Sequence, residues 1–198
     1  APLTFITDKH GLDTFYEAVI RSGLTYAPVE RSGKYVYEPV STLAECHPDS
    51  PIGQTDSIKP LFFPRSSQVM SFSVTADGAE LTEPSEDPLA IPRVILGVKH
   101  CDARALQVLD KVYSWDYVDA GYQQRREHTL LISPRCTAAG PLCFCTSLDY
   151  DVEHLDALDV AVIYGQSDTV YLQARSEKGE LCLQHHGSGL TPAGDEAE

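Results

Sequence analysis

The amino-acid sequence predicts an α/β or α+β fold: a mixed sheet with flanking helices and a cysteine site at the carboxyl ends of the central strands. Two apolar β-type segments, 93–98 and 128–132, are separated by a stretch of helical periodicity, an order typical of parallel strands joined by helices. A third apolar segment, 159–164, leads through a Gly-containing turn into an alternating stretch, which predicts a hairpin. The chain has 198 residues, 42% of them hydrophobic, and is therefore long enough to bury its own core.

The first part of the chain predicts one helix and two strands. Residues 11–22 place apolar side chains on one face at helical spacing and are followed by Gly23, a common helix stop. Alternation of apolar and polar residues predicts strands within 34–40 and 67–75. The polar, Pro-rich stretch 46–57 predicts a loop.

The rest of the chain predicts two further helices and a structured domain that ends near residue 184. Apolar residues recur at helical spacing within 102–113 and within 116–126, which predicts these two helices. Cys182 alternates with leucines on both sides, as a strand residue would. Residues 1–184 are interpreted as one α/β domain, and the Gly-, Pro- and acid-rich segment 185–198 as a flexible acidic tail or linker.

Charge and missing motifs exclude several classes of function. The formal net charge of -14 argues against a nucleic-acid partner, because contacts to phosphates need clustered Lys and Arg. The apolar runs are far too short for a membrane span. The sequence contains no nucleophile elbow, phosphate loop or dinucleotide fingerprint, so a flavin or substrate site is expected on another subunit.

The strongest chemical signal is the distribution of the six cysteines. Three of them fall within ten residues, in a chain too large to need a disulfide scaffold, and such clustering is typical of metal ligation. The predicted ligands are Cys101, Cys136, Cys143 and Cys145. The isolated Cys46 and Cys182 are expected to be small buried apolar residues.

The predicted strands explain how these four cysteines would meet. Cys101 and Cys136 each follow the carboxyl end of a strand, and parallel neighbours would bring them to the same edge of the sheet. Cys143 and Cys145 follow on a Gly-Pro loop, and in an extended stretch their side chains would face one centre. His100 is either a further donor, an electrostatic neighbour of the site or an exposed residue.

Four thiolates suit either an iron–sulfur cluster or zinc. One distant cysteine followed by a C-x6-C-x-C pattern favours a multi-iron cluster, since zinc sites usually use two C-x2-C knuckles. The alternatives are a zinc-stabilised protein-interaction module without redox activity, and a metal-free protein with a reactive, redox-sensing thiol.

Three segments resemble a known family: 95–106 around Cys101, 127–147 around the other three cysteines, and the upstream 59–64. Together they resemble the amino-terminal domain of the iron–sulfur β subunit of multimeric [NiFe] hydrogenases (sulfhydrogenases), a group that includes the A subunit of anaerobic sulfite reductase. The resemblance implies a cytoplasmic, non-catalytic electron-transfer subunit. It also implies one [4Fe-4S] cluster on the four motif cysteines, relaying electrons between a flavin-containing reductase-like subunit and a catalytic subunit.

The chain departs from that family in two respects. Family members continue into a ferredoxin-like domain with C-x2-C-x2-C-x3-C runs, which this sequence lacks, so the iron–sulfur-binding domain 1–184 is expected to depend on close partners. His100 stands where the family has Pro before the first cysteine, a change expected to affect the local turn or the reduction potential.

Overall fold

A computed structural model describes the chain except at residues 1, 50–55, 67–69, 77, 83–89, 142, 149–155 and 194–198. The strands of the described part are β1 (Thr4–Thr7), β2 (Leu24–Arg31), β3 (Lys34–Val40), β4 (Ser71–Thr75), β5 (Gly78–Thr82), β6 (Arg93–Leu96), β7 (Thr129–Pro134), β8 (Val160–Tyr164), β9 (Val170–Ala174) and β10 (Thr191–Pro192). The helices are α1 (Lys9–Ser22), α2 (Lys59–Phe62), α3 (His100–Val112), α4 (Ala120–Glu127) and α5 (Glu177–His186), with short 3-10 helices at Leu43–Glu45 and Cys145–Leu148.

Eight of these strands form one mixed sheet in the order β10-β1-β9-β8-β7-β6-β2-β3. The four central strands β2, β6, β7 and β8 are parallel, and antiparallel strands extend the sheet on both sides. β4 and β5 form a separate antiparallel hairpin. The predicted α/β class is therefore confirmed, and the two predicted apolar strands are indeed parallel neighbours.

Helices cover both faces of the sheet and enclose two apolar cores. On one face, α1 and α5 pack their buried side chains, among them Leu12, Phe15 and Leu183, against inward residues of the strands. On the other face, α2, α3 and α4 contribute Phe62 and Leu106, among others, to the second core. Strands buried on both faces explain why the central segments are almost continuously apolar.

Two buried arginines fix the short helix α2 against this second core. Arg93 donates from Nη2 to the carbonyl of Leu61 at 2.6 Å, and Arg125 donates from Nε to the carbonyl of Phe62 at 2.7 Å. The guanidinium of Arg93 also lies 5.5 Å from the centre of the Phe62 ring, within cation–π distance. Just before α2, the Ser57 hydroxyl donates to the Asp102 carboxylate at 2.9 Å, which links this segment to the start of α3.

The structure corrects the sequence interpretation at several elements. Cys182 lies in α5 and not in a strand, because Ser176 caps a helix there by accepting from the Gly179 N–H. The helix predicted from residue 116 begins only at Ala120, where Asp119 is the N-cap. The strands β1 and β2 were not predicted at all.

Part of the predicted tail is structured. α5 continues to His186, and β10 pairs antiparallel with β1 at the edge of the sheet. The assignment of 1–184 as a separate domain stays a prediction, and residues 194–198 lie outside the described part.

Candidate metal centre

Two of the predicted ligands lie at the carboxyl edge of adjacent parallel strands. β6 and β7 pair in parallel from Arg93 and Thr129 to Leu96 and Ile132. The chain then enters α3, whose second residue is Cys101, while Cys136 follows two residues after β7 ends. The sheet therefore brings both cysteines to one edge, which is where open α/β sheets bind their ligands.

Cys101 lies in the first turn of α3, where backbone N–H groups have no partner within the helix. Burial of the sulfur raises the pKa of the Cys101 thiol, and the neighbouring Asp102 carboxylate raises it further. The Lys99 ammonium and the backbone N–H groups of Cys101 and Asp102 act in the opposite direction. The same N–H groups and the same cation would stabilise a thiolate bound to a metal.

The other two cysteines lie in a loop that folds back on itself. The Cys143 N–H donates to the Gly140 carbonyl at 3.0 Å, and the Gly140 N–H donates to the Cys143 sulfur at 3.1 Å. Cys145 begins a 3-10 helix, so the expectation that Cys143 and Cys145 lie in an extended stretch is wrong. An N–H donor on a cysteine sulfur is the kind of contact that tunes the potential of iron–sulfur centres.

The four cysteines share one electrostatic neighbourhood. Burial raises the pKa of the Cys136 thiol, and the charges of Cys143, Cys101 and Cys145 raise it further. In the described part of the chain, however, no three His, Cys, Asp or Glu side chains converge closely enough to hold a single metal ion.

The donor set has the chemistry that an iron–sulfur cluster requires. A single zinc ion needs its sulfurs at about 2.3 Å from one centre. A four-iron cluster takes one thiolate per iron and accepts sulfurs that are farther apart. Four cysteines, an N–H donor on the Cys143 sulfur and the Lys99 ammonium near Cys101 are thus the kinds of group that a cluster uses, although in the described part of the chain no three side chains converge on one ion.

A cleft of about 340 Å³ opens beside Cys136, between the ends of β6, β7 and β8. Its lining includes the cationic residues Lys99 and Arg135, and the other polar lining residues are Asp49, His100, Ser133, Thr137 and Tyr164. His100 is only 3% exposed, so it lines the cleft from within the fold and is not the exposed residue that was one of the expectations.

One wall of the cleft comes from a segment that sequence reasoning did not connect with the site. Gly97 has a φ of +69°, and a Cβ atom there would lie 2.5 Å from the Pro48 carbonyl oxygen. Pro48 and Asp49 therefore approach the carboxyl edge only because residue 97 is glycine. The isolated Gly97 after an apolar strand was the one signal in the sequence that pointed to such a close approach.

Cys46 and Cys182 are buried core residues, as predicted. Only 6% of the surface of Cys46 and 8% of that of Cys182 is exposed. Both residues belong to the core on the face of the sheet that α1 and α5 cover. Burial raises the pKa of the Cys46 thiol to about 11 and that of Cys182 to about 12. Both side chains therefore stay protonated at neutral pH, as expected for small apolar core residues.

Among the helices of the described residues, none combines the length and the apolar character that crossing a bilayer requires.

Comparison with known proteins gives a distant relative among hydrogenase subunits. The β subunit of sulfhydrogenase 2 from Pyrococcus furiosus is 30% identical over 148 residues, which are 74% of this chain and 41% of the relative. The chain thus spans about two fifths of the length of that relative. No family model matches the chain, and no solved structure matches it significantly. The similarity supports the predicted resemblance to hydrogenase β subunits, while the resemblance to anaerobic sulfite reductase stays a prediction.

Proposed function

We propose that this chain is an electron-transfer subunit of an oxidoreductase complex and binds one [4Fe-4S] cluster through Cys101, Cys136, Cys143 and Cys145. The observation that carries the proposal is the placement of Cys101 and Cys136 just beyond the carboxyl ends of the neighbouring parallel strands β6 and β7, with Cys143 and Cys145 on the loop that follows. The distant similarity to a sulfhydrogenase β subunit supports the redox role.

The chain's own groups have separate tasks in this proposal. The ends of the parallel strands β6 and β7 position Cys101, in the first turn of α3, and Cys136, just after β7, and the loop closed by Gly140 and Cys143 would supply the other two sulfurs. The N–H groups at the start of α3 and at Gly140 stabilise negative charge on the thiolates. The cluster, when bound, supplies one-electron transfer. The Lys99 ammonium, whose charge acts on Cys101, would offset part of the negative charge of a bound cluster and would thereby favour its reduced state.

The proposed partners rest on the similarity to a hydrogenase β subunit. That relative is named as one subunit, which supports a place in a complex of several chains. We propose a flavin-containing reductase-like subunit on one side and a catalytic hydrogenase- or sulfite-reductase-type subunit on the other. The chain itself is non-catalytic and cytoplasmic in this proposal.

Anaerobic purification followed by iron and acid-labile sulfide analysis tests the cluster. We expect four irons and four sulfides per chain, the stoichiometry of one [4Fe-4S] cluster. After reduction with dithionite, an electron paramagnetic resonance signal should appear. A colourless protein with one bound zinc per chain would show instead that the site is structural.

Single serine variants assign the ligands. Cys101→Ser, Cys136→Ser, Cys143→Ser and Cys145→Ser should each lower the iron content or shift the resonance spectrum, because each removes one thiolate. The matched controls are Cys46→Ala and Cys182→Ala, which each remove a thiol that is buried in the apolar core. Full cluster content in any of the four serine variants, with an unchanged spectrum, would remove that cysteine from the site.

A further inference from the structure

The β4–β5 hairpin carries an apolar face that nothing in the described part of the chain covers. Phe72 pairs with Leu81 and Val74 with Ala79, and paired residues two apart lie on the same face. Phe72, Val74 and Leu81 are 69%, 77% and 60% exposed. The opposite face carries Ser73 and Glu80.

Such a hairpin is not expected to persist alone in water. A two-stranded hairpin is marginally stable by itself and needs further strands or a packed face. No other helix or strand of the described residues packs extensively on β4 or β5. The apolar face therefore lacks the burial that an independent hairpin requires.

Charge indicates what covers this face. From Ser66 to Pro92 the sequence has no Lys, Arg or His, and it has five acids: Asp77, Glu80, Glu83, Glu86 and Asp87. A surface that accepts the apolar face must also accept this negative charge, so Lys and Arg around an apolar groove are the complementary arrangement.

The same charges disfavour the other occupants. A second copy of this chain carries the same net charge of -14 and would bring a like-charged hairpin into contact. An anionic membrane surface is repelled for the same reason. A different protein with a basic surface meets neither difficulty.

We propose that the apolar face of the β4–β5 hairpin is a docking surface for a protein partner whose apolar groove is bordered by Lys and Arg. This proposal is independent of the cysteine site. It holds whether or not the four cysteines bind a cluster, since none of them lies in the hairpin.

Site-specific photocrosslinking in the native cells tests the proposal. Phe72 or Leu81 is replaced by p-benzoylphenylalanine, and Ser73, on the opposite face of the same strand, is the matched control position. We expect Phe72 and Leu81 positions to crosslink to one segment of a different protein, with apolar residues flanked by Lys or Arg, and the Ser73 position not to. Crosslinks to a second copy, to this chain itself, to an acidic segment, or none at all would overturn the proposal.

The partner that the crosslinks identify is then purified without crosslinking, and its affinity for this chain is measured. Phe72→Ser should weaken binding about tenfold, the factor that corresponds to ~1.4 kcal/mol. Ser73→Thr should leave it unchanged, and added salt should weaken binding of the unaltered chain. Because Phe72→Ser changes no charge and removes an exposed side chain, unaltered affinity in a folded variant would show that net charge alone attracts the partner, which contradicts a specific docking face.

Discussion

Gly97 joins the sheet to the wall of the cysteine cleft. Its positive φ follows directly after β6, and the Pro48 carbonyl occupies the space that a side chain would need. We expect Gly97→Ala to lower the free energy of unfolding by about 1–3 kcal/mol, through backbone strain and this contact. Urea denaturation followed by circular dichroism measures the change.

Gly23 provides the matched control. Its backbone is extended, with a φ of 172°, and a Cβ atom there would meet nothing within 4 Å. Gly23→Ala should therefore change the free energy of unfolding by no more than about 0.5 kcal/mol. If the two variants lose the same free energy of unfolding, the contact between Gly97 and Pro48 is not the cause of the destabilisation.

The six cysteines should separate into two reactivity classes. Cys46 and Cys182 are buried, and burial raises their pKa values to about 11 and about 12, so almost no thiolate exists at pH 7. In metal-free protein, iodoacetamide should modify Cys101, an exposed residue, well before either of them, and peptide mass spectrometry over time gives the order. Early modification of Cys46 or Cys182 in native protein would contradict their place in the core.

The division of the cysteines could be predicted from the sequence, but the shape of their loop could not. Spacing grouped Cys136, Cys143 and Cys145, because ligands on one short loop lie near one another, and Cys101 was assigned with them from its place after a predicted parallel strand. The alternation rule failed at Cys145, since it applies to extended backbone and the chain turns into a 3-10 helix there. The approach of Pro48 was not predictable either, because a loop gives no periodic signal for its tertiary contacts.

Asp159 links three elements at the amino end of β8. Its carboxylate accepts from the Leu131 N–H of β7 at 2.8 Å and from the hydroxyl of Ser176, which in turn caps α5. The residue is 6% exposed. Asp159→Ala leaves these donors without an acceptor in a buried place.

We expect Asp159→Ala to cost about 2–4 kcal/mol of the free energy of unfolding, measured by urea denaturation. Asp116→Ala, in the exposed stretch before α4, is the control and should have little effect. If Asp159→Ala lowers the free energy of unfolding no more than Asp116→Ala does, water replaces the hydrogen bonds that the Asp159 carboxylate accepts.

The elements missed by sequence reasoning share one physical reason. β1 is a four-residue strand, and β2 contains Pro28 and both charged and apolar residues, so neither shows a clean period of two. The segment around Cys182 alternates over three residues, but the N-cap Ser176 and the helical contacts of Leu183 determine a helix. A short run of apolar residues does not distinguish a strand from a helix. The capping residue that would indicate a helix lies outside such a run.

At the scale of the whole molecule, the fold and the candidate site are separable. The two cores lie on the faces of the sheet and consist of apolar side chains from five helices and the strands, whereas the four cysteines lie beyond the strand ends. None of the four belongs to either core. Stability should therefore come from the layered packing, with the cysteine edge contributing mainly to function.

This separation predicts that the chain stays folded without metal. After removal of metal with a chelator under reducing conditions, the far-ultraviolet circular dichroism spectrum should be retained, and urea should still unfold the chain in one cooperative step. The variant in which Cys101, Cys136, Cys143 and Cys145 are all replaced by serine should behave in the same way. A zinc-stabilised module would instead lose its structure with the metal, because the binding energy of a structural zinc is folding energy. If the sheet is stable without the metal site, the protein should lose iron and sulfide and keep its fold. Unfolding of the metal-free chain would contradict this separation of fold and site.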